Sequence, residues 1–159
     1  MRKPSTASLA FAAGLLLSSL AHAAGRVEVQ WLAPERYSDA GRQVWERDQT
    51  LQTLTRHLQS LGRHLPDAQM LRIEVSDLDL AGELLPLGTH ELRLLRGRAD
   101  WPRISLSYRL ESQGRVLGSG QIELADMGYM SLAMGPNGGE LAYEKRMLER
   151  WVRSEFGAR

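Results

Sequence analysis

"MLRIEVSDLDLAGE", residues 70–83, decides how this chain folds and where its chemistry has to be sought. The first half alternates, with Leu71, Ile73 and Val75 on one side and Arg72 and Glu74 on the other. That period of two belongs to a strand with one face in a core. The second half sets Asp77 and Asp79 among leucines and runs into Ala81-Gly82-Glu83. Two readings stand side by side. The carboxylates could hold a metal or move a proton, or they could cap backbone N–H groups where the strand ends.

Upstream, "RVEVQWL" (26–32) alternates Val27, Val29 and Trp31 with Glu28 and Gln30, a second half-buried strand. Pro34 breaks it, and Ser38 or Asp39 offers a helix N-cap. Leu51, Leu54, Leu58, Leu61 and Leu65 then recur at spacings of three and four, with Val44 seven residues before Leu51. The spacing predicts an amphipathic helix over 40–64, stopped by Pro66. Strand, helix and strand make a β-α-β unit, right-handed if the strands lie parallel.

Downstream, "HELRLLR" (90–96) is a weaker strand and "RISLSYRL" (103–110) the clearest in the chain. "ESQG" turns it and "RVLGSGQIEL" (115–124) returns, with Gly118 and Gly120 on the face of Val116, Ile122 and Leu124. Small residues there let a helix or a large side chain come close. "MGYMSLAMGPNGG" has no period and reads as a loop. "ELAYEKRMLERWVRSEF" (140–156) is a second helix that buries Leu141, Leu148, Trp151, Val152 and Phe156. The expected architecture is α/β (α+β): a two-layer sandwich in the order β-α-β-β-β-β-α, its mixed sheet of about five strands carrying both helices on one face.

Residues 1–23 look like a cleaved signal peptide. Arg2 and Lys3 precede an apolar run over 9–20, and Ala21-His22-Ala23 matches the small-x-small cleavage pattern. The expectation is one globular α/β domain over 24–159 in a bacterial periplasm, with no retained membrane span and, without cysteine, no lipid anchor. Zero cysteines also exclude disulfides, thiolate metal sites and cysteine nucleophiles. The chain has 20 basic and 19 acidic residues. Arg2 and Lys3 leave with the leader, so no net field steers the remainder to nucleic acid. Lys145 is its single lysine, the other cations being arginine.

Asp77-x-Asp79-x-Ala81-Gly82 superficially matches a calcium loop, but the fifth position is Ala81 and the twelfth Gly88, so two of its side-chain ligands are missing. A metal held by Asp77 and Asp79 would need distant help, for example from Asp126. Glu144 falls on the apolar stripe of the second helix, three residues after Leu141 and four before Leu148. There it snorkels, pairs with an arginine such as Arg103 or Arg109, or is pushed toward its protonated form by desolvation. Glu144 and Asp126 are therefore the catalytic candidates, and Asp77, Asp79, Trp101, Arg103, Asp126 and Tyr129 the candidate binding set. His57 and His64, seven apart on the first helix, read as exposed. "GPNGGE" (135–140) is a turn or an anion cradle, Met127, Met130 and Met134 ordinary packing, a pliable binding surface or a copper(I) site, and "RGRADWPR" (96–103) a recognition loop or a lead into the next strand. Ser119 lacks nucleophile-elbow spacing, and no dinucleotide, phosphate-loop or zinc-protease motif occurs.

"WLAPERYSDAG", "LRIEVSDLDLAGE", "WPRISLSYRL", "LADMGY" and "YEKRMLERWV" together resemble the exported bacterial family catalogued as domain of unknown function 3016. The likeness spans 27–156. It implies an envelope protein and makes Asp39, Asp77, Asp79, Ala81-Gly82, Pro102-Arg103, Asp126, Tyr129, Tyr143-Glu144 and Trp151 family-like positions. The strand-hairpin-strand part is also loosely similar to envelope auxiliary lipoproteins. The leading expectation is a non-catalytic binding or envelope-interaction module, its partner another envelope protein or a small ligand. The alternatives are a small metal-dependent or acid–base hydrolase using Asp77, Asp79, Asp126 and Glu144, and a purely structural envelope protein. No cofactor is expected, a divalent ion being the exception those carboxylates leave open. Mass spectrometry of the protein recovered from its native host should find a chain beginning at Ala24; a chain retaining Met1 would refute the leader.

Overall fold

The computed structural model describes residues 24–88, 90–131 and 139–157. The leader read at 1–23, Met134, and 135–138 of the Gly-rich stretch lie outside the described residues. The elements run β1 (Arg26–Trp31), α1 (Val44–Ser60), β2 (Gln69–Asp79), β3 (Glu83–Leu87), β4 (His90–Leu94), β5 (Arg103–Ser112), β6 (Arg115–Ala125) and α2 (Ala142–Phe156). β1 lies parallel to β2, β2 antiparallel to β5, and β5 antiparallel to β6, giving a mixed sheet in the order β1-β2-β5-β6. Both helices cover one face of it, an α+β sandwich. Leu54 and Leu58 of α1 meet Leu71, Ile73 and Val75 of β2, Ile104 and Leu106 of β5, and Leu148 and Val152 of α2 in a single apolar cluster.

The sheet differs from the expected one in strand count. β4 pairs with β3 in a separate two-stranded hairpin. "ELLPL" conceals β3 because it does not alternate and contains Pro86, a residue confined to strands with a free edge. β2 and β5 match along their lengths, which leaves β4 no slot between them.

Helix α1 begins later than expected, at Val44, capped by Gln43 in a reciprocal capping box with Glu46. Ser38 and Asp39 do not cap it. The Asp39 N–H donates to Leu78 O (2.8 Å) and its carbonyl accepts from Leu80 N–H (3.1 Å), which ties this segment to the sheet. Val44 is accordingly exposed rather than part of the apolar stripe.

Gly120 does admit a large side chain. A β-carbon there would stand 3.0 Å from the Tyr108 ring, which lies over the glycine and makes edge contacts with Trp151 and Phe156.

The decisive feature sits inside β2. Val75 faces Leu106 and Asp77 faces Ser105, so Ser76 is an extra residue, a β-bulge. Up to Val75 the odd positions face the core, whereas beyond the bulge Leu78 and Leu80 do. Because side chains alternate with period two, one inserted residue exchanges the faces of everything after it. Asp77 and Asp79 are thereby turned away from the helices. Deleting Ser76 should remove the bulge and leave a regular strand in which Asp77 follows Val75 directly. Leu78 and Leu80 then stay inward, both aspartates stay outward, and stability in urea falls by no more than about 3 kcal/mol. A larger fall would show that the aspartates had turned inward and refute this reading of the register. Ser76→Ala should stay within about 0.5 kcal/mol of the parent.

Candidate functional site

The end of β2 is held from three directions by three successive amides. Leu80 N–H donates to Asp39 O at 3.1 Å, Ala81 N–H to Glu144 Oε1 at 2.8 Å, and Gly82 N–H to Asp100 O at 2.8 Å. The carbonyls of Ala81 and Gly82 accept from Arg93, whose guanidinium also pairs with Asp39 at 2.8 Å. Gly82 has φ +88°, and a β-carbon would fall 2.8 Å from Leu94 O, so only glycine lets the hairpin fold back here. This knot joins the 37–41 segment, the β3–β4 hairpin, the 96–100 loop and the N-terminal turn of α2.

The carboxylates singled out in the sequence are each taken by separate partners. Asp77 accepts Ser38 N–H and Oγ–H, both at 2.7 Å. Asp79 Oδ2 accepts Nε and an Nη of Arg103 at 3.1 and 2.6 Å, which holds the Arg103 guanidinium still more firmly protonated than usual. Arg103 also lies 6.0 Å from the centre of the half-buried Trp101 ring. Asp126, buried, takes Arg146 at 3.1 Å and Arg150 at 2.7 Å. Among the described residues no three Asp, Glu or His side chains gather into a metal-holding group.

Tyr129 is fully buried. Its hydroxyl accepts Gly97 N–H at 3.2 Å, and its ring stands edge-on to Tyr143 with centroids 4.8 Å apart. The same hydroxyl reaches the Asp100 carboxylate, which organises the 96–100 loop by accepting Arg96 and Arg98 N–H at 2.6 and 2.8 Å. Burial works against ionisation of Asp100, but those donors overcome it and hold its carboxyl below the usual range. Burial also raises the Tyr129 phenol. Met127 and Met130 are exposed, with the Met130 sulfur close beside Gly97.

Glu144 is the exception among the acids. It is only 2% exposed, and its partner is a backbone amide rather than the expected Arg103 or Arg109, which pair with Asp79 and Glu111. Desolvation raises its pKa, opposed by the Ala81 N–H and by the charges of Arg93 and Lys145. Beside it lies a cavity of about 210 Å³ with Leu80, Leu95, Leu141, Ala142, Tyr143 and Arg93 in its walls. Larger hollows on the uncovered sheet face, the first about 550 Å³, are lined mostly by polar side chains such as Arg72, Glu74 and Ser107. They contain no comparably buried carboxyl.

The histidines are not exposed as expected, because α2 packs across that side of α1. His57 Nε2 lies 2.9 Å from Lys145 O, and desolvation lowers its pKa. His64 sits 3.8 Å from Glu149. Sequence reasoning missed Asp100 and Arg93. Asp100 carries a local signal, an aspartate followed by Trp-Pro in a Gly-containing loop. Arg93 has none, since the Ala81 and Gly82 carbonyls reach it only once the β3–β4 hairpin has closed, and Asp39 lies on a distant segment.

Residues 25–154 match the family described as Protein of unknown function (DUF3016). The chain belongs to that family. No curated protein and no solved structure matches this DUF3016 chain. Among its described residues no helix is long and apolar enough to cross a membrane.

Because the Glu144 carboxyl binds its proton more tightly in the folded state than in the unfolded one, its contribution is fully present below the ordinary glutamate range. It is lost as pH rises toward the raised folded value. Glu144→Gln keeps an acceptor for Ala81 N–H and removes this titration. Chemical unfolding across pH should therefore show the wild type losing stability relative to the Gln variant from the ordinary glutamate range upward; parallel curves would refute the buried carboxyl. Glu144→Ala, which strands the amide, should cost roughly 1–3 kcal/mol at low pH and less as pH rises.

Proposed function

We propose that this DUF3016 chain is exported to the bacterial periplasm and acts there as a non-catalytic binding module. It takes a small ligand, or one side chain of another envelope protein, in the cavity beside Glu144. The observation that carries this reading is the contrast between the acids. Asp77, Asp79 and Asp126 are tied to serine or arginine side chains of their own chain, whereas Glu144, which accepts the Ala81 amide, is buried in the wall of a cavity with apolar sides. Export is supported by the basic start, the apolar run over 9–20 and Ala21-His22-Ala23.

At about 210 Å³ the cavity is smaller than the roughly 300–1,000 Å³ of ordinary small-molecule pockets. It suits a single functional group on a short hydrocarbon stem. Leu80, Leu95 and Leu141 meet the stem, and Glu144 favours a head that donates hydrogen bonds, a primary amine or amide. A second reading, a purely structural envelope protein, is favoured by the Asp–Arg pairs around Asp79 and Asp126.

Titration of short alkyl amines and amides into isotope-labelled protein, followed by amide NMR shifts, separates the two readings. Binding should move the resonances of Ala81, Leu141, Ala142 and Tyr143, and Ala142→Trp, which fills the cavity, should abolish the movement while distant resonances stay in place. No shifts at these amides, or shifts that survive Ala142→Trp, would leave the structural reading standing.

A further inference from the structure

The two edges of the main sheet are built differently. β1 is six residues long, carries Arg26 and Glu28, and is followed closely by Pro34. β6 is eleven residues long, with no proline and no lysine. Proteins ordinarily protect an exposed edge by shortness, proline, lysine or a bulge, because its free N–H and C=O groups are a template for another strand. β6 carries two charged residues, Arg115 and Glu123, and a bulge at Leu117, where the register with β5 shifts, but it runs regularly from 118 to 125. Its helix-side residues Ile122 and Leu124 are only partly buried, and Leu117 is 53% exposed. The apolar layer is open along this edge.

We propose that β6 is a strand-addition interface for a second copy of this chain. The two β6 strands run antiparallel about a two-fold axis at Gln121 and join the two sheets into one. The inference is independent of the Glu144 cavity. Three features of the strand match this register. On the helix side, Gly118 comes opposite the second copy's Leu124, and Gly120 opposite its Ile122. Gly118 thus offers an aliphatic open space, empty to 4 Å from where a β-carbon would stand, whereas the space over Gly120 is filled by its own Tyr108 ring, against which the second copy's Ile122 would pack.

On the open side, Gln121 meets Gln121 and Ser119 meets the second copy's Glu123. Ser119 is the neighbour of Arg109 on β5, which is in turn the neighbour of Arg72 on β2. A row of two arginines and a short serine therefore ends at a glutamate of the other copy. Two strand spacings, about 10 Å, separate Arg109 from that glutamate, within the combined reach of the two side chains. The second copy's Leu117 arrives at Ala125, beside a hollow of about 260 Å³ whose walls include Leu124, Met147 and Trp151. A two-fold axis repeats every one of these contacts.

The protein contains no cysteine, so single-cysteine variants read the register directly. Facing residues of an antiparallel pair have Cα atoms about 4.5–5.5 Å apart, inside the range a disulfide spans. Under mild oxidation Gln121→Cys should cross-link to a covalent dimer far faster than Gln30→Cys on the opposite edge. In sedimentation velocity over a concentration series the wild type should dimerise. Glu123→Arg should raise the dimer dissociation constant about tenfold, through two symmetric cross-strand pairs. Arg109→Glu combined with Glu123→Arg should restore it, with circular dichroism unchanged throughout. A wild type monomeric at every concentration, cross-linking at Gln121→Cys no faster than at Gln30→Cys, or a charge exchange without rescue would each overturn the proposal.

Discussion

The whole arrangement depends on one β-bulge in the central strand, which absorbs Ser76 without advancing the alternation of side chains. β2 lies between β1 and β5 with both helices over one of its faces, so a carboxylate on that face would be stranded among leucines. The bulge at Ser76 prevents this by reversing the side-chain phase between Val75 and Leu78. On the other side of the strand the Val75 carbonyl accepts Leu32 N–H at 2.9 Å and the Tyr37 hydroxyl at 2.8 Å, which docks the chain segment leaving β1 beside the bulge.

From that point the strand end becomes an anchorage. Leu80, Ala81 and Gly82 donate in turn to the 37–41 segment, to α2 and to the 96–100 loop. None of those three acceptors belongs to a neighbouring strand of the sheet, so hydrogen bonding that would otherwise end with β2 is passed on to irregular chain. The acids around it divide by burial. Asp79 pairs with a half-exposed arginine, an interaction worth at most about 1 kcal/mol in water. Glu144 is deeply buried with an amide for a partner, and its environment resists its charge. A carboxyl kept in that condition beside a cavity has its chemistry set by the fold and is not merely neutralised by a counter-charge.

The strands and helices were legible because their periods survive in the residues. "RISLSYRL" and the leucines at 51, 54, 58 and 61 predict their elements from spacing alone. β3 was not legible, since "ELLPL" has neither alternation nor β-branched residues and becomes a strand only because β4 turns back on it. The helix cap was misplaced because Ser38 and Asp39, both good capping residues, are drawn to Asp77 and Leu78 by contacts some forty positions along the chain. Histidines 57 and 64 read as exposed because α1 alone gives them a polar side. The packing of α2 covers that side.

What the sequence by itself determined is therefore the local and periodic part: two helices, an alternating sheet, a core of aliphatics, the placing of Glu144 on an apolar stripe, and the family likeness. What only the tertiary structure decided is the company each charged group keeps. Local periodicity follows from backbone geometry, which acts over a few residues. The partners of Asp79, Asp126 and Glu144 lie 24, 20 to 24 and 63 positions away. No pattern in the chain states such a distance, because it exists only after the sheet has chosen its register.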